Sequence, residues 1–208
     1  MEIIHADIVE YLLNVTPERD QVLQEMEQLA LERNFPIIGP LVGRMLYVLA
    51  RAIQAKRVLE LGSGFGYSAY WLANAIGKDG IVICTDGNQQ NADRAQEYFH
   101  RGRVVARIQY LVGDALKIID TLDGPFDIIF NDIEKFQYPK VFRKAVPKLR
   151  KGGLLISDNI LWSGHVLDKK PDADTAGMLT YNRLIYSSKE LFTTILPLRD
   201  GIAISIKL

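Results

Sequence analysis

The sequence predicts an α/β fold: a seven-stranded, mostly parallel sheet with helices on both faces, closed by an antiparallel hairpin and preceded by an N-terminal helical extension. Three observations carry this reading. Short apolar runs alternate with helical stretches from residue 57 onward, the last two runs are too close for a crossover helix, and the first 55 residues show helical periodicity only. At roughly 150 residues per domain, the 208 residues fit one domain, 1–208, made of a helical extension (1–55) and an α/β core (56–208).

A first helix is expected over about 2–14. A second, 17–33, opens with Thr16 as cap and Pro17 in its first turn, sets Val22, Met26, Leu29 and Ala30 on one face, and ends at Asn34-Phe35-Pro36. A third, about 40–55, starts at Gly39-Pro40 and places Leu41, Met45, Leu49, Ala52 and Ile53 at core-facing spacing. The runs RVLEL (57–61), IVICTD (81–86), RIQYLV (107–112), FDIIFND (126–132) and GLLISD (153–158) read as buried parallel strands with helices between them. LFTTILPL and GIAISIKL are separated only by Arg199 and Asp200, which predicts the closing hairpin.

Composition excludes several classes. Hydrophobic residues at 48% and charged residues at 24% rule out disorder and fibrous repeats. Twenty-five basic and 25 acidic residues cancel, so the global basic field of most dedicated nucleic-acid binders is missing, leaving room only for a local basic patch. The single Cys84 excludes an intramolecular disulfide and reads as a small buried hydrophobe. With only His5, His100 and His165 beside it there is no zinc-type spacing, so any metal should be oxygen-bound. His5 and His100 read as structural or exposed. No basic leader and no run of 18 apolar residues is visible, which makes the cytoplasm the expected compartment and a membrane span unexpected.

The first strand runs into ELGSGFGYS, where Gly62, Gly64 and Gly66 permit a sharp turn and a close backbone approach to a ligand at a helix start. A dinucleotide fingerprint would need glycine at 67, which is Tyr67, so NAD is disfavoured. E-L-G-x-G-x-G instead resembles the loop of class I S-adenosylmethionine methyltransferases, which implies their Rossmann-like fold. In that reading Glu60 faces the cationic methionine end, and Gly62, Ser63, Gly64, Tyr67 and Ser68 form the loop contacts. Asp86, 26 residues after Glu60, accepts the ribose hydroxyls, and Asp114 with Ala115 lines the adenine edge.

The fourth strand ends in Asn131-Asp132 and the fifth in Asp158-Asn159. Two carboxylates and an amide oxygen at neighbouring strand ends would leave about half an octahedral shell open, which suits Mg²⁺ or Mn²⁺. Taken alone, a strand-end Asp is most often a helix cap or turn residue, and spacing does not settle which it is here.

FDIIFNDIEKFQY followed by KGGLLISDNILWSGHV resembles the cation-dependent O-methyltransferases, the family of caffeoyl-CoA and catechol O-methyltransferases, and LPLRDGIAISIKL resembles their closing hairpin. The resemblance spans about residue 34 to the C-terminus. It implies Asp132, Asp158 and Asn159 as ligands of Mg²⁺ (or Mn²⁺ or Ca²⁺), Lys135 as general base with Asp132 as its catalytic partner and a cofactor neighbour, and backbone contacts to the cofactor around Ile38 to Val42. It also implies a homodimer and a small phenolic acceptor with vicinal hydroxyls. Two positions depart from the pattern. Asn131 replaces an aliphatic residue and is either a polar supporting residue or a strand-end cap, and Glu134 stands beside Lys135, where it could alter the base or add an oxygen to the metal.

Trp162 is expected to wall the acceptor pocket and His165 to be a loop residue. The resemblance also implies an alternative acceptor, the hydroxylated wobble uridine of transfer RNA that some bacterial relatives methylate; beside it, 140–151 holds six basic residues and no acid, and Arg101, Arg103 and Arg107 form a second cluster. The other classes weighed are an S-adenosylmethionine-binding module without catalysis and a nicotinamide oxidoreductase. The intact Asp132, Lys135, Asp158 and Asn159 set speaks against the first and Tyr67 against the second.

Overall fold

The computed structural model describes residues 3–208. Seven strands form one sheet in the order β3-β2-β1-β4-β5-β7-β6. They are β1 (Arg57–Leu61), β2 (Ile81–Asp86), β3 (Arg107–Val112), β4 (Phe126–Asn131), β5 (Leu149–Ser157), β6 (Leu191–Leu196) and β7 (Ile202–Lys207). The first five are mutually parallel, and β7 runs antiparallel to both β5 and β6. The predicted hairpin is present, with β7 inserted between β5 and β6, and its turn takes five residues, 197–201, rather than two.

Alternation along each strand sends side chains to two cores. Val58, Val82, Ile128 and Ile156 face α3 (Gly39–Ala52), α4 (Tyr67–Ile76) and α5 (Gln89–Arg101), whereas Leu59, Ile83, Ile129 and Leu155 face α6 (Ala115–Thr121), α7 (Tyr138–Ala145) and α8 (Ala173–Ser187). Both faces are covered, which is why these strands read as nearly continuous apolar runs. β5 begins at Leu149, four residues before its predicted start. Pairing with β4 shifts register between Phe126 and Ile128, and Gly153 sits where a Cβ would lie 3.1 Å from the carbonyls of Phe126 and Asp127, so the glycine pair lets the strand run through the irregularity.

The N-terminal helices are present with shifted boundaries. The predicted start of the first helix at residue 2 lies outside the described residues; α1 spans Ala6–Asn14, with His5 Nδ1 accepting from the Asp7 amide. α2 spans Gln21–Glu32 and is capped by Asp20, whose carboxylate accepts from Leu23 N at 2.9 Å, while Thr16 donates back to the Leu12 carbonyl. Asp20 therefore displaces Thr16 as the cap, because only its acceptor reaches a free amide of the first turn. In α3 the buried face is Val42, Gly43, Leu46 and Ala50. Leu41, Met45, Leu49 and Ile53 are half-buried, and Ala52 is exposed. Two adjacent apolar stripes fit the helical period equally, and Gly43 decides between them because only a residue without Cβ accommodates the Trp71 indole of α4. Leu29 is likewise half-buried beside Val22, Met26 and Ala30.

Half of the basic stretch 140–151 is taken up by the fold, while Lys140, Arg143 and Lys151 stay exposed. Lys144 pairs with Asp120, Lys148 donates to the Leu122 carbonyl, and Arg150 pairs with Asp127 and donates to the Ile53 carbonyl. Arg101 pairs with Glu25. Asp127 also accepts the amides of Lys56 and Arg57 at 2.8 and 2.7 Å, so it ties the starts of β1, β4 and β5 together at the amino edge of the sheet. Among the described residues no helix is long and apolar enough to cross a membrane.

Burial alone would raise the Asp127 carboxyl, but the Arg150 guanidinium and the two amides outweigh it and hold the group below the usual carboxylate range. Its stabilisation is therefore present above the ordinary carboxylate pKa and lost as pH falls through the lower folded value. Asp127→Ala should cost about 2 kcal/mol at pH 7, a Tm fall of roughly 4–8 °C for a chain of this size. Thermal melts should show the gap to wild type closing below about pH 4.

Candidate active site

The chain returns from β3 to the other side of β1 to form β4, so the strand order reverses between β1 and β4. An open α/β sheet has its crevice at the carboxyl ends of the strands at such a point. Glu60 and the glycine loop leave β1 there, and Asp132 leaves β4, its amide donating to the Leu61 carbonyl at 2.9 Å. The two segments touch: Gly62 has φ +86°, and a Cβ there would lie 2.5 Å from the Asp132 carbonyl oxygen. Gly66, at φ +89°, opens α4 under the Phe99 ring and Ala95 of α5. Both positions require glycine for conformation and for space.

The loop is held from two sides. Asp86 accepts from Gly64 N at 3.1 Å through one oxygen and from Asn88 N and Asn91 Nδ2 through the other, while the Tyr110 hydroxyl of β3 donates to the Gly64 carbonyl. Ser63 Oγ accepts from the Thr85 amide, joining the loop to β2. Within this frame Glu60 is fully buried, and neither carboxylate oxygen has a hydrogen-bond partner in the protein. Burial pushes its carboxyl up to about 7. The nearby Ser63 and Ser68 hydroxyls pull it partly back without reaching hydrogen-bond geometry, and the Asp132 and Asp86 charges push it further up.

Asp132 and Asp158 end adjacent parallel strands, and Asp158 N donates to the Asn131 carbonyl at 3.1 Å. The Asp158 side chain is 1% exposed, and its oxygens accept from Asn159 N at 2.8 Å and from Arg199 Nη1 at 2.7 Å. Burial pushes its carboxyl up to about 7, the Asp132 charge adds to this, and Arg199 offsets part of it. Asp132 is raised by burial and pulled back by Lys135 and Arg199. Lys135 Nζ donates to Asp132 Oδ1 at 2.8 Å and to the Ile133 carbonyl at 3.1 Å, and lies 5.8 Å from the centre of the Trp162 ring. Among the described residues no three His, Cys, Asp or Glu side chains are grouped to hold a metal; the oxygen set here is two carboxylates plus the Asn159 amide.

Two cavities meet at Gly62, Asp86, Asp132, Lys135 and Trp162. The larger, about 690 Å³, extends to Asp114 and Ala115, and the smaller, about 370 Å³, extends along Ser63, Gly64, Tyr67 and Ser68 to Asn159 and Arg199. Asp114 is at once a rim residue and the cap of α6, accepting from Leu116 N at 2.8 Å. Tyr67 turns its hydroxyl to Glu27 of α2 at 2.7 Å, so only its ring faces the cavity.

Several expectations need correction. The segment before β1 that walls the smaller cavity is 35–38, whereas Val42 is fully buried inside the α3 packing. Glu134 accepts from Gln137 Nε2 at 3.0 Å and lines the larger cavity together with Lys135. Asn131 is a fully buried supporting residue rather than a cap: its Nδ2 lies 3.5 Å from Ser157 Oγ, which in turn contacts the Tyr181 hydroxyl at 2.6 Å. His165 is exposed and paired with Asp168 but lies in a short 3₁₀ segment, Trp162–Leu167, rather than in a loop, and Cys84 is fully buried. Sequence reasoning missed Phe35, Tyr110, Arg199 and Asp200. Only the last two carried a signal, as a charged pair inside the hairpin turn.

A buried carboxyl with a raised folded pKa stabilises the chain fully below its ordinary value of 4.5 and loses that contribution as pH rises through about 7. The isosteric, uncharged Glu60→Gln should therefore melt higher than wild type at pH 8 in the ligand-free state, by on the order of 3 kcal/mol. The difference should close below pH 4.5 in a pH series of thermal melts.

Comparison with known proteins agrees with this geometry. Residues 14–208 match the family model described as O-methyltransferase. A catechol O-methyltransferase from Niastella koreensis is 33% identical over 201 residues, covering 91% of this chain and 90% of its own. A methyltransferase crystal structure from Geobacter sulfurreducens superposes with a TM-score of 0.84 at 31% identity, over 99% of this chain and all of that one. The O-methyltransferase from Bacillus cereus in complex with SAH gives 0.88 at 27% identity, over 97% of both. The chain belongs to the O-methyltransferase family.

Proposed function

We propose that the protein transfers a methyl group from S-adenosylmethionine to one hydroxyl of a small vicinal diphenol, with a divalent cation held by Asp132, Asp158 and Asn159. The observation that carries this reading is the pair of carboxylates at neighbouring strand ends, Asp158 buried and Asp132 part-exposed with Lys135 on it, beside a cavity that Asp132 and Asn159 line together with the glycine loop. The catechol O-methyltransferase named above supports the acceptor class.

The residues suit both groups. Glu60, without a protein partner, can answer the cationic methionine end, Asp86 lies where ribose hydroxyls would be accepted, and the open space at Asp114 and Ala115 suits an adenine edge. Two carboxylates and an amide oxygen are the hard donors that Mg²⁺ or Mn²⁺ takes. When bound, the cation would supply the positive charge that fixes two neighbouring acceptor oxygens and lowers the pKa of the reacting hydroxyl. The sulfonium supplies a methyl already activated for displacement, so position and deprotonation are what the chain must provide.

Lys135 is the group placed for the proton. Its Nζ lies on Asp132 and over the Trp162 ring, within the cavity wall; once its ammonium has given a proton to solvent, the neutral amine would take the proton of the reacting hydroxyl as the oxygen is alkylated. Trp162 would offer a flat apolar face to an aromatic acceptor, and Phe35, Pro36 and Ile37 add apolar lining to the same cavity.

Release of S-adenosylhomocysteine with Mg²⁺ and catechol should be abolished by EDTA and restored by excess metal, and phenol should not substitute for catechol. Turnover that persists in EDTA, or equal rates with the two acceptors, overturns the metal role. Asp158→Ala should lose metal-dependent turnover while binding S-adenosylhomocysteine within a fewfold of wild type by calorimetry. Lys135→Ala should lower kcat by about 100-fold or more with a much smaller change in KM.

A further inference from the structure

The turn between β6 and β7 grips the segment that carries Asp158 and Asn159. Ile160 N donates to the Gly201 carbonyl at 2.9 Å and Leu161 N to the Asp200 carbonyl at 3.0 Å. Gly201, at φ +84°, packs so closely that a Cβ there would lie 2.8 Å from Leu161 N. Two side chains of the turn reach further: Arg199 donates to Asp158 Oδ2, and Asp200 accepts from Asn159 Nδ2 at 3.4 Å with one oxygen and from the Ser163 amide with the other.

An asparagine amide has a donor end and an acceptor end of nearly equal shape, so which end faces a site is set by its partners. The carboxylate of Asp200 can only accept. It therefore fixes the NH₂ end of Asn159 on itself and leaves Oδ1 for the cavity that Asn159 lines. Asn159 also sits at φ +58°, a left-handed conformation that the surrounding contacts must hold.

We propose that Asp200 is a positioning residue that selects the oxygen end of Asn159 as the third oxygen donor beside Asp132 and Asp158. This rests on the cation reading above. Its role is to act through Asn159: with the amide reversed, two N–H groups would face the cation instead of an oxygen.

Mn²⁺ binding to the purified full chain, read from the electron paramagnetic resonance signal of free Mn²⁺, tests this without reference to turnover. Asp200→Ala should weaken Mn²⁺ binding by about tenfold or more, the usual loss when a residue supporting a metal ligand is removed. Affinity for S-adenosylhomocysteine should change less than twofold. Should the alanine variant not fold, Asp200→Asn serves in its place: its oxygen can keep the Ser163 amide while its NH₂ turns toward Asn159, which reverses that amide and should weaken Mn²⁺ binding comparably.

The deciding comparison is in the background of Asn159→Asp. A carboxylate at 159 presents oxygen in either orientation and is repelled by Asp200, so adding Asp200→Ala there should leave Mn²⁺ binding unchanged or tighten it. A purely structural or long-range electrostatic role would weaken binding in both backgrounds, and that result, or unchanged binding in Asp200→Ala alone, overturns the proposal. Wild type that binds no Mn²⁺ would instead remove the cation reading on which the proposal stands.

Discussion

Two like charges at the ends of adjacent strands set the terms for the catalytic edge of this fold. Asp132 and Asp158 leave β4 and β5 side by side, and a buried carboxylate that is neither paired nor hydrogen-bonded is costly enough that it would give up its charge instead. The chain answers each with a cation from a different direction. Lys135 comes from the turn that follows β4, and Arg199 comes from the hairpin 41 residues beyond Asp158. The antiparallel end of the sheet is thus part of the site: placing β7 against β5 is what brings the β6–β7 turn over the Asp158 strand end.

The layer under the carboxylates is equally constrained. Tyr138 donates to the Asp158 carbonyl at 3.0 Å, and Asn131, Ser157 and Tyr181 form a buried polar string on the α6–α8 side of the sheet. Hydrogen bonds in such surroundings are stronger than in water, and groups left without partners are correspondingly expensive. Asn131 Oδ1 has no partner in the protein, so the string is not fully satisfied, and an aliphatic residue there would avoid that cost.

Much of this could be read from local sequence, for a physical reason. Parallel strands in the middle of the sheet are mostly apolar, so the acid that closes each run marks the carboxyl edge: Asp86, Asp114, Asp132 and Asp158 all lie there. The polar string and the clamp on Asn159 were not legible because their members come together only through long-range packing. Tyr110 on the Gly64 carbonyl, Glu27 on the Tyr67 hydroxyl and Arg199 on Asp158 are separated in sequence by 46, 40 and 41 residues. Helix faces failed for a different reason: α3 carries two neighbouring apolar stripes, and a single contact, Gly43 against Trp71, chose between them. Half of the basic run near α7 is taken up by packing, which a charge count does not see. Lys144, Lys148 and Arg150 serve the packing of the sheet's amino edge and its neighbouring helices, away from the strand ends that hold the site.

Glu60 and Asp158 show two ways of burying an acid. Asp158 is answered within the chain, by Arg199 and by the amide of Asn159. Glu60, equally buried, is answered by no hydrogen bond from the protein, although the residues around it are otherwise well connected through Ser63, Thr85 and Asp86. Most buried polar groups in folded proteins are satisfied, so an exception needs a reason. Glutamine would avoid the charge at the same volume, and an apolar residue would extend the core of Val58, Cys84 and Phe130 up to the loop. What neither could do is attract a cationic group into a loop whose glycines already bring backbone close on every side. A carboxylate that is destabilising without a ligand gains most from a positive one and gives least to a neutral one of the same shape, which is the property the role proposed for Glu60 at the methionine end would use.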